Sequence, residues 1–325
     1  MKIGILGGSG FIGTRLFEKL LQCGYKPTIF DKVVSKSYPL NTIQVDIRDY
    51  DELQKAINDF DCIINLAAEH ADNVSPSSLY EEVNVLGATN LCRALHVNSI
   101  KKLIFTSSVA VYGLNSEILN ESARLSPFNE YGISKLRAEE VYKNWQELDE
   151  ANNSLTIIRP TVVFGEGNRG NLYNLMNHIY HNKFIMIGKG DNKKSIAYVG
   201  NLVDFILHSL ACKSGTHIYN YSDEPIMKVS DLVKLIHEAF GIKMRFRFYI
   251  PELIALVLGK LLDNISEISG INFPISEVRV KKFCSDTIIM GPDKCLNFRP
   301  QFTLDQAILK TIQAEFVPKR INPNG

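Results

Sequence analysis

The chain has no run of apolar residues approaching the ~20 that a membrane-spanning helix needs, which argues against an integral membrane bundle. Its six cysteines, Cys23, Cys62, Cys92, Cys212, Cys284 and Cys295, are scattered and form no C-x-x-C pair. That argues against a disulfide framework and fits buried thiols in a reducing cytosol. The formal charge sums to +1, so there is no field to attract nucleic acid. No tract of biased composition and no internal repeat stands out. The apolar residues at the start already belong to a first strand, so a leader with a charged n-region and an apolar h-region is not expected. No metal is expected either. With 325 residues, these absences leave one large domain with a smaller appendage. The expected location is the cytoplasm, at most peripheral on the inner face of the cell membrane.

What is present begins at the first residue, with M-K-I-G-I-L-G-G-S-G-F-I-G. Residues 2–6 are a short β-prone run, and Gly7, Gly10 and Gly13 then fall three apart. They lead into residues 14–21, whose apolar positions recur at helical spacing. A strand that turns on glycines into a helix gathers bare N–H groups and the positive helix end at one spot. That spot suits a pyrophosphate, because no Cβ blocks its approach. Alone, G-x-x-G-x-x-G is also compatible with an ordinary glycine-rich turn. The next strand, residues 26–30, ends in Asp31, about twenty residues beyond the glycines. A carboxylate there takes both ribose hydroxyls of an adenosine and repels a 2′-phosphate, favouring NAD over NADP. Lys32 beside it argues the other way.

Residues 42–45 form a third strand ending in Asp46-Ile47, where an acid commonly meets an adenine ring. Asp49 caps a helix through Ile57, and residues 61–66 are a buried fourth strand. It opens into Ala67-Ala68-Glu69-His70, small enough at first for backbone to lie against a cofactor. Residues 78–97 read as one long helix carrying Asn84 and Gly87, and residues 102–106 as a fifth strand. The sixth, residues 155–159, exits at Pro160. This alternation predicts an α/β fold, a Rossmann-type doubly wound parallel sheet with its ligand at the carboxyl ends of the strands. The NAD-binding domain spans residues 1–164, and the chain returns to it around 195–222 and 286–316. A discontinuous substrate-binding lobe covers 165–285, and the active site lies between the two.

The fifth strand opens into T-S-S-V-A-V-Y-G, residues 106–113, and N-E-Y-G-I-S-K, residues 129–135, starts the following helix. Tyr131 and Lys135 are four apart and share one helical face. An ammonium beside a phenol favours the phenolate and draws its reference pKa of ~10 towards working pH. Tyr131 is then a general base for a sugar hydroxyl, with Ser108 as the hydrogen-bonding shuttle. Taken alone, Y-x-x-x-K is a common accident and reads equally as a surface pair.

G-G-S-G-F-I-G, T-S-S-V-A-V-Y-G, Y-G-I-S-K and I-R-P-T-V-V-F-G together resemble the extended short-chain dehydrogenase/reductases, in their nucleotide-sugar epimerase and dehydratase branch. The resemblance implies Ser108, Tyr131 and Lys135 as the catalytic set. It implies NAD contacts at Gly7, Gly10, Phe11, Ile12, Gly13, Asp31, Asp46, Ile47, Leu66, Ala67 and Ala68, then at Thr106, Tyr131, Lys135, Pro160 and Val162. Sugar 4,6-dehydratases of this branch carry Asp-Glu directly after the serine, whereas this chain has Val109 and Ala110. Neither transfers protons, which disfavours dehydration. A-E-H at 68–70 with D-N-V-S-P at 72–76, G-N-R-G-N at 167–171, M-I-G at 186–188 and R-V-K-K-F-C at 279–284 are similar to one subgroup. It is the undecaprenyl-diphospho-N-acetylglucosamine 4-epimerase type, which works on a lipid-linked sugar in assembly of surface polysaccharide such as lipopolysaccharide O-antigen.

Under this resemblance Asn168, Arg169 and Asn171 join Ser108 in binding substrate. Lys194 replaces a family arginine that holds a diphosphate, keeping charge but losing the two-pronged grip. Arg279, Lys281 and Lys282 form a second candidate clamp. Each cation also reads as a solvated surface residue. The stretch from Phe248 to Leu262 is the most apolar, and its pattern around Leu253 to Leu258 is that of a helix buried in a core. The alternative is a surface helix that dips into a membrane or receives a polyprenyl chain, flanked by Arg245, Arg247 and Lys260. Residues 303–316 read as a last amphipathic helix.

The activity expected is NAD-dependent C4 epimerisation of N-acetylglucosaminyl-diphospho-undecaprenol to its galacto epimer. Three alternatives stand beside it: a soluble UDP-N-acetylglucosamine or UDP-glucose 4-epimerase, a sugar 4-ketoreductase, and a non-enzymatic NAD sensor. Expected partners are the lipid-diphosphate-linked sugar or a nucleotide sugar, with a homodimer left open.

Overall fold

The structure, a computed structural model, describes residues 1–70, 74–114, 117–243, 249–269, 277–292 and 297–317. Side chains at 264–269, 278, 279 and 282 lie outside that description. The first half comprises β1 (Lys2–Leu6), α1 (Phe11–Gln22), β2 (Lys26–Asp31), β3 (Thr42–Gln44), α2 (Tyr50–Ala56) and β4 (Cys62–Asn65). It continues through α3 (Ser78–Tyr80), α4 (Gly87–Val97), β5 (Lys102–Thr106), β6 (Ile118–Leu119), α5 (Glu130–Glu147) and β7 (Ser154–Pro160). The second half runs β8 (Val162–Phe164), α6 (Asn171–Tyr180), β9 (Met186–Ile187), β10 (Lys193–Tyr198), α7 (Val199–Ser209), β11 (Gly215–Tyr221) and β12 (Asp223–Lys228). It closes with α8 (Val229–Phe240), β13 (Tyr249–Ile250), α9 (Glu252–Ser269), α10 (Glu277–Cys284), β14 (Ile288–Ile289) and α11 (Leu304–Phe316).

Seven strands form one sheet in the order β3-β2-β1-β4-β5-β7-β11, every neighbouring pair parallel. Period-2 alternation sends Ile3, Ile5, Cys62 and Ile64 to one face and Leu6 and Ile63 to the other. The first face is covered by α1 and α7, through Leu16, Phe17, Leu20, Leu202 and Phe205. The second is covered by α2, α4 and α5, through Leu53, Leu91, Leu95, Tyr142 and Trp145. Each such side chain stabilises the fold by roughly 1.5–3 kcal/mol on burial. Strand order reverses between β1 and β4, so the crevice for a ligand opens at their carboxyl ends. A smaller sheet, β12-β10-β8, lies beside the main one.

Two expectations change. The helix over residues 78–97 is interrupted, because Glu81–Leu86 adopts π-helical bonding between α3 and α4. One widened turn re-aims the side chains after it, and here it buries Asn84. The second correction concerns the apolar stretch, of which Phe248 lies outside the described residues, as do the flanking Arg245 and Arg247. It is not a core helix. In α9 Leu253 is 77% exposed, Val257 61% and Leu261 53%, with Ile254 and Leu258 also exposed. The apolar positions 253, 254, 257, 258 and 261 form one stripe rather than a full circumference, and small Ala255 and Gly259 are the buried ones. The helix rests on α10 and turns its large side chains outward. Among the described residues no helix is long and apolar enough to cross a membrane.

Candidate active site

The turn from β1 into α1 is shaped by what its glycines exclude. Gly7 has φ +73°, and a Cβ on it would lie 2.6 Å from the Ala67 nitrogen. A Cβ on Gly13 would lie 2.5 Å from the Gly8 Cα. Gly10 is different: its Cβ would meet nothing nearer than the Gly7 carbonyl at 3.3 Å, so that side faces open space. Gly10 is also the N-cap of α1, with no side-chain cap and no acid in the first turn among the described residues. The amides at the start of this twelve-residue helix are therefore left without a side-chain cap, the arrangement that accepts a pyrophosphate.

Asp31, at the end of β2, is held against this loop. Its carboxylate accepts from the Ser9 N–H at 3.0 Å and the Val33 N–H at 3.1 Å. The competing charge of Lys32 is answered by Glu69, 3.0 Å away. At the end of β3 the Asp46 carboxylate is gripped by Arg48, whose Nη2 lies 2.7 Å from it. That hydrogen bond holds Asp46 below the usual carboxylate range. Ile47 is buried against α4, where a Cβ on Gly87 would meet it at 2.9 Å. After β4, Leu66 N–H extends the ladder to Leu6 at 2.8 Å, and Ala67 N–H donates to the Asn65 side chain at 3.0 Å.

Asn84 received no role from its position in the sequence, yet it joins two sides of the crevice. It accepts from Glu69 N–H at 2.9 Å and donates to the Glu69 carbonyl at 3.1 Å and Ser134 Oγ at 2.8 Å. Ser134 Oγ in turn donates to the Tyr131 carbonyl at 2.9 Å. The available signal was an asparagine on a helix otherwise patterned for burial.

Helix α5 starts where Asn129 caps it, accepting from Gly132 N–H at 2.9 Å. This places Tyr131 in the first turn and Lys135 one turn later. A Cβ on Gly132 would fall 2.6 Å from the Ala110 carbonyl, so the helix start is seated directly on the turn after β5. Ser108 occupies that turn, its Oγ accepting from Ala110 N–H at 3.1 Å, which leaves the hydroxyl proton to donate. Lys135 is 2% exposed, donates from Nζ to the Thr106 carbonyl at 2.8 Å and lies 4.6 Å from the centre of the Phe105 ring. Burial pushes its ammonium down to about 7, with Glu139 opposing the shift. Ser108 and Lys135 thus meet the carboxyl end of β5, with Tyr131 in the first turn of the helix seated on it.

The same edge carries buried hydroxyls without partners. Thr106 Oγ1 and Thr161 Oγ1, at the ends of β5 and β7, meet no hydrogen-bond partner among the described residues. Pro160 is buried beside them and Val162 exposed. Uncapped amides at α1, a carboxylate at β2 and orphan hydroxyls at β5 and β7 trace an extended polar path. The residues present fit a dinucleotide.

Of the cations proposed for substrate, Arg169, Lys194 and Lys281 are engaged with protein. Arg169 pairs with Glu315 at 2.8 Å and lies over the Tyr173 ring at 4.2 Å. The same Glu315 accepts from Gly167 N–H at 2.5 Å, so α11 holds the 165–171 loop. Asn168 caps Gly170 within that loop, and Asn171 is exposed at the start of α6. Lys194 donates to the Ser285 carbonyl at 2.5 Å and to Thr287 Oγ1 at 3.4 Å, and burial lowers its ammonium to about 8. Lys281 pairs with Glu277 at 2.6 Å, and the Arg279 side chain lies outside the described residues.

The chain resembles known proteins over nearly its whole length. The sequence model of the NAD dependent epimerase/dehydratase family matches residues 3–221. The chain is 44% identical over 315 residues to N-acetyl-alpha-D-glucosaminyl-diphospho-ditrans,octacis-undecaprenol 4-epimerase of Escherichia coli O157:H7, covering 96% of this chain and 95% of that protein. It is 25% identical to UDP-glucose 4-epimerase of Vibrio cholerae over 95% of this chain and 94% of the other. The crystal structure of UDP-glucose 4-epimerase from Thermotoga maritima superposes with a TM-score of 0.78 at 19% identity, covering 99% of this chain and 100% of that one. The likeness to that structure concerns the fold. By its family match and its full-length relative, the chain belongs to the NAD dependent epimerase/dehydratase family.

Proposed function

We propose that this chain is an NAD-dependent C4 epimerase, and that its substrate is N-acetylglucosaminyl-diphospho-undecaprenol, interconverted with its N-acetylgalactosaminyl epimer. The observation that carries the epimerase reading is the seating of Lys135 against the Thr106 carbonyl, one helical turn from Tyr131 and two residues from Ser108. NAD, when bound, supplies a hydride acceptor at C4 and a donor for its return. The residues of the chain do the rest. Tyr131 takes the O4 proton and returns it. Lys135, charged and desolvated, favours the phenolate form of Tyr131. Ser108 donates to the sugar oxygen through the proton its bond from Ala110 leaves available. Val109 and Ala110, following Ser108, hold no proton to drive loss of water, which supports epimerisation over dehydration.

The lipid-linked substrate is supported by the full-length likeness to the Escherichia coli enzyme. It is supported independently by the outward apolar stripe of α9. Leu253, Ile254, Val257, Leu258 and Leu261 offer a continuous apolar face, which a polyprenyl tail and the bilayer around it can cover. In this reading residues 165–285 form the lobe over the sugar and diphosphate, and the protein is peripheral on the membrane. Arg169, Lys194 and Lys281 serve the diphosphate only if their present partners are exchanged for it; Arg279, Asn168 and Asn171 remain candidates beside them. A soluble UDP-sugar is the second reading, favoured by the likeness to UDP-glucose 4-epimerases. The deciding experiment offers NAD-loaded protein UDP-N-acetylglucosamine and the lipid-linked sugar in parallel, with product sugars identified after hydrolysis. Conversion of the lipid-linked sugar is the expected result. Conversion of the UDP-sugar alone would refute the lipid assignment, and steady consumption of reduced cofactor would point to a ketoreductase.

A further inference from the structure

Behind the catalytic face of α5 lies a pair of opposite charges with almost no exposure. Glu139, one turn after Lys135, is 0% exposed, and Arg159 of β7 is 1% exposed. The guanidinium grips the carboxylate at two points, Nε to Oε1 at 2.9 Å and Nη2 to Oε2 at 2.6 Å. Glu139 Oε1 also accepts from Ser107 Oγ at 2.5 Å. Arg159 Nη1 donates to the Tyr112 hydroxyl at 2.8 Å, and Tyr112 donates to Asn220 at 2.8 Å. Asn220 N–H meets Glu121 at 2.7 Å, and Lys143 approaches Glu139 at 3.9 Å.

Stability alone explains such a pair poorly. Taking two ions out of water costs several kcal/mol each, and apolar residues of similar volume often do as well or better. What the carboxylate touches is more telling. The turn after β5 is Thr106-Ser107-Ser108, and its first two residues are tied to consecutive turns of α5. Thr106 is tied by its carbonyl to Lys135, and Ser107 by its hydroxyl to Glu139. Ser108 is the next residue of the same turn. Among the described residues Glu139 is also the carboxylate that faces Lys135 electrostatically, countering the burial that would discharge it.

We propose that Glu139, clamped by Arg159, is a positioning residue: it ties the Ser107–Ser108 turn to α5 and, one helical turn from Lys135, favours the ammonium that supports the Tyr131 phenolate. This rests on the reading of Tyr131 as the base. The charged and titratable groups facing the pair are Lys135 and Lys143 on α5 and Tyr112 before β6, with Glu121 behind Asn220.

The test uses the full chain loaded with NAD and needs no sugar for its main readout. Tyr131 is titrated by the phenolate absorbance difference between each protein and the same protein carrying Tyr131→Phe. Glu139→Gln keeps the shape and removes the charge. Should the uncompensated Arg159 unfold that variant, the double variant Glu139→Gln with Arg159→Met removes both charges and is measured instead. Expected in Glu139→Gln is a Tyr131 midpoint raised by about one pH unit or more, as Lys135 loses its proton earlier, and in the double variant, which also loses the opposing charge of Arg159, a smaller rise in the same direction. With substrate, kcat falls at least about tenfold, part of the roughly 10²–10⁴ that proton transfer contributes, while KM and NAD content stay within about threefold. Glu139→Asp should recover part of the midpoint shift. A Tyr131 midpoint equal to that of the parent, in variants that are merely less stable, would overturn the proposal. Failure of the parent to epimerise either sugar would sink the functional reading and leave the titration to decide this one.

Discussion

Lys135 Nζ and the Thr106 carbonyl, 2.8 Å apart, join α5 to the end of β5. The contact lies where water does not reach, and it sets two properties at once. It fixes the ammonium on the helix one turn after Tyr131, and the burial that comes with it draws that ammonium down to about 7. Its consequences are measurable.

The first is a pH dependence of stability in the cofactor-free protein. Lys135 is lowered to about 7 in the fold, against ~10.4 in an unfolded chain. Between those values the unfolded state binds more protons, so this group's contribution rises with pH and is lost as pH falls through about 7. Denaturant midpoints of the parent and of Lys135→Met should therefore diverge in the parent's favour from about pH 7 to pH 10. A difference that stays flat across that window would place the ammonium in water.

Tyr131→Phe should fold, hold NAD and lose turnover by roughly 10²–10⁴, the range for a positioned proton-transfer group. Single-turnover measurement of C4 oxidation reads this directly. Retained activity would move the base to another residue.

Gly132→Ala tests the seat of the helix. An added Cβ would lie 2.6 Å from the Ala110 carbonyl, so either α5 or the Ser108 turn must shift. A loss of kcat exceeding the loss of NAD affinity is expected, on the order of 10²-fold for a displacement near 1 Å. Unchanged kcat would show that Tyr131 and Ser108 tolerate that displacement.

Cofactor choice should depend on two carboxylates. Asp31→Ala is expected to weaken NAD and admit NADP. Glu69→Gln should leave NAD binding nearly intact but release Lys32 towards a 2′-phosphate, improving NADP by about fivefold, the scale of one exposed ion pair. Calorimetric titration with both dinucleotides separates these effects, and a Glu69→Gln protein with parental discrimination would remove Glu69 from the account.

The α9 stripe predicts membrane binding. Replacing Leu253 and Val257 by glutamate should cut co-sedimentation with anionic vesicles at least about tenfold, since each buried side chain is worth roughly 1.5–3 kcal/mol. Thermal stability should hardly change, because both residues are already in water in this structure. Vesicle binding equal to that of the parent would assign the stripe to another partner.

Much of the site was legible because its parts are local. Gly7, Gly10, Gly13 and Asp31 obey a spacing that strand, turn and helix impose on any chain, and Tyr131 and Lys135 share a helix. The parallel, doubly wound sheet likewise follows from alternation of short apolar runs with amphipathic helices. Backbone geometry and hydrophobic period act over a few residues, so they can be read in one dimension.

Other properties belong to pairs that only folding brings together. Glu139 meets Arg159 across 20 residues, Asn84 meets Ser134 across 50, and Lys194 meets Ser285 across 91. Nothing in the spacing of Arg169 announces Glu315, 146 positions later, as the partner that occupies it. The fate of α9 is of the same kind. Its apolar residues satisfy a buried and an exposed helix alike, and which face meets protein was decided by where the surrounding chain leaves room. Charge compensation and burial depend on three-dimensional neighbours, and those are set only when the whole chain has packed.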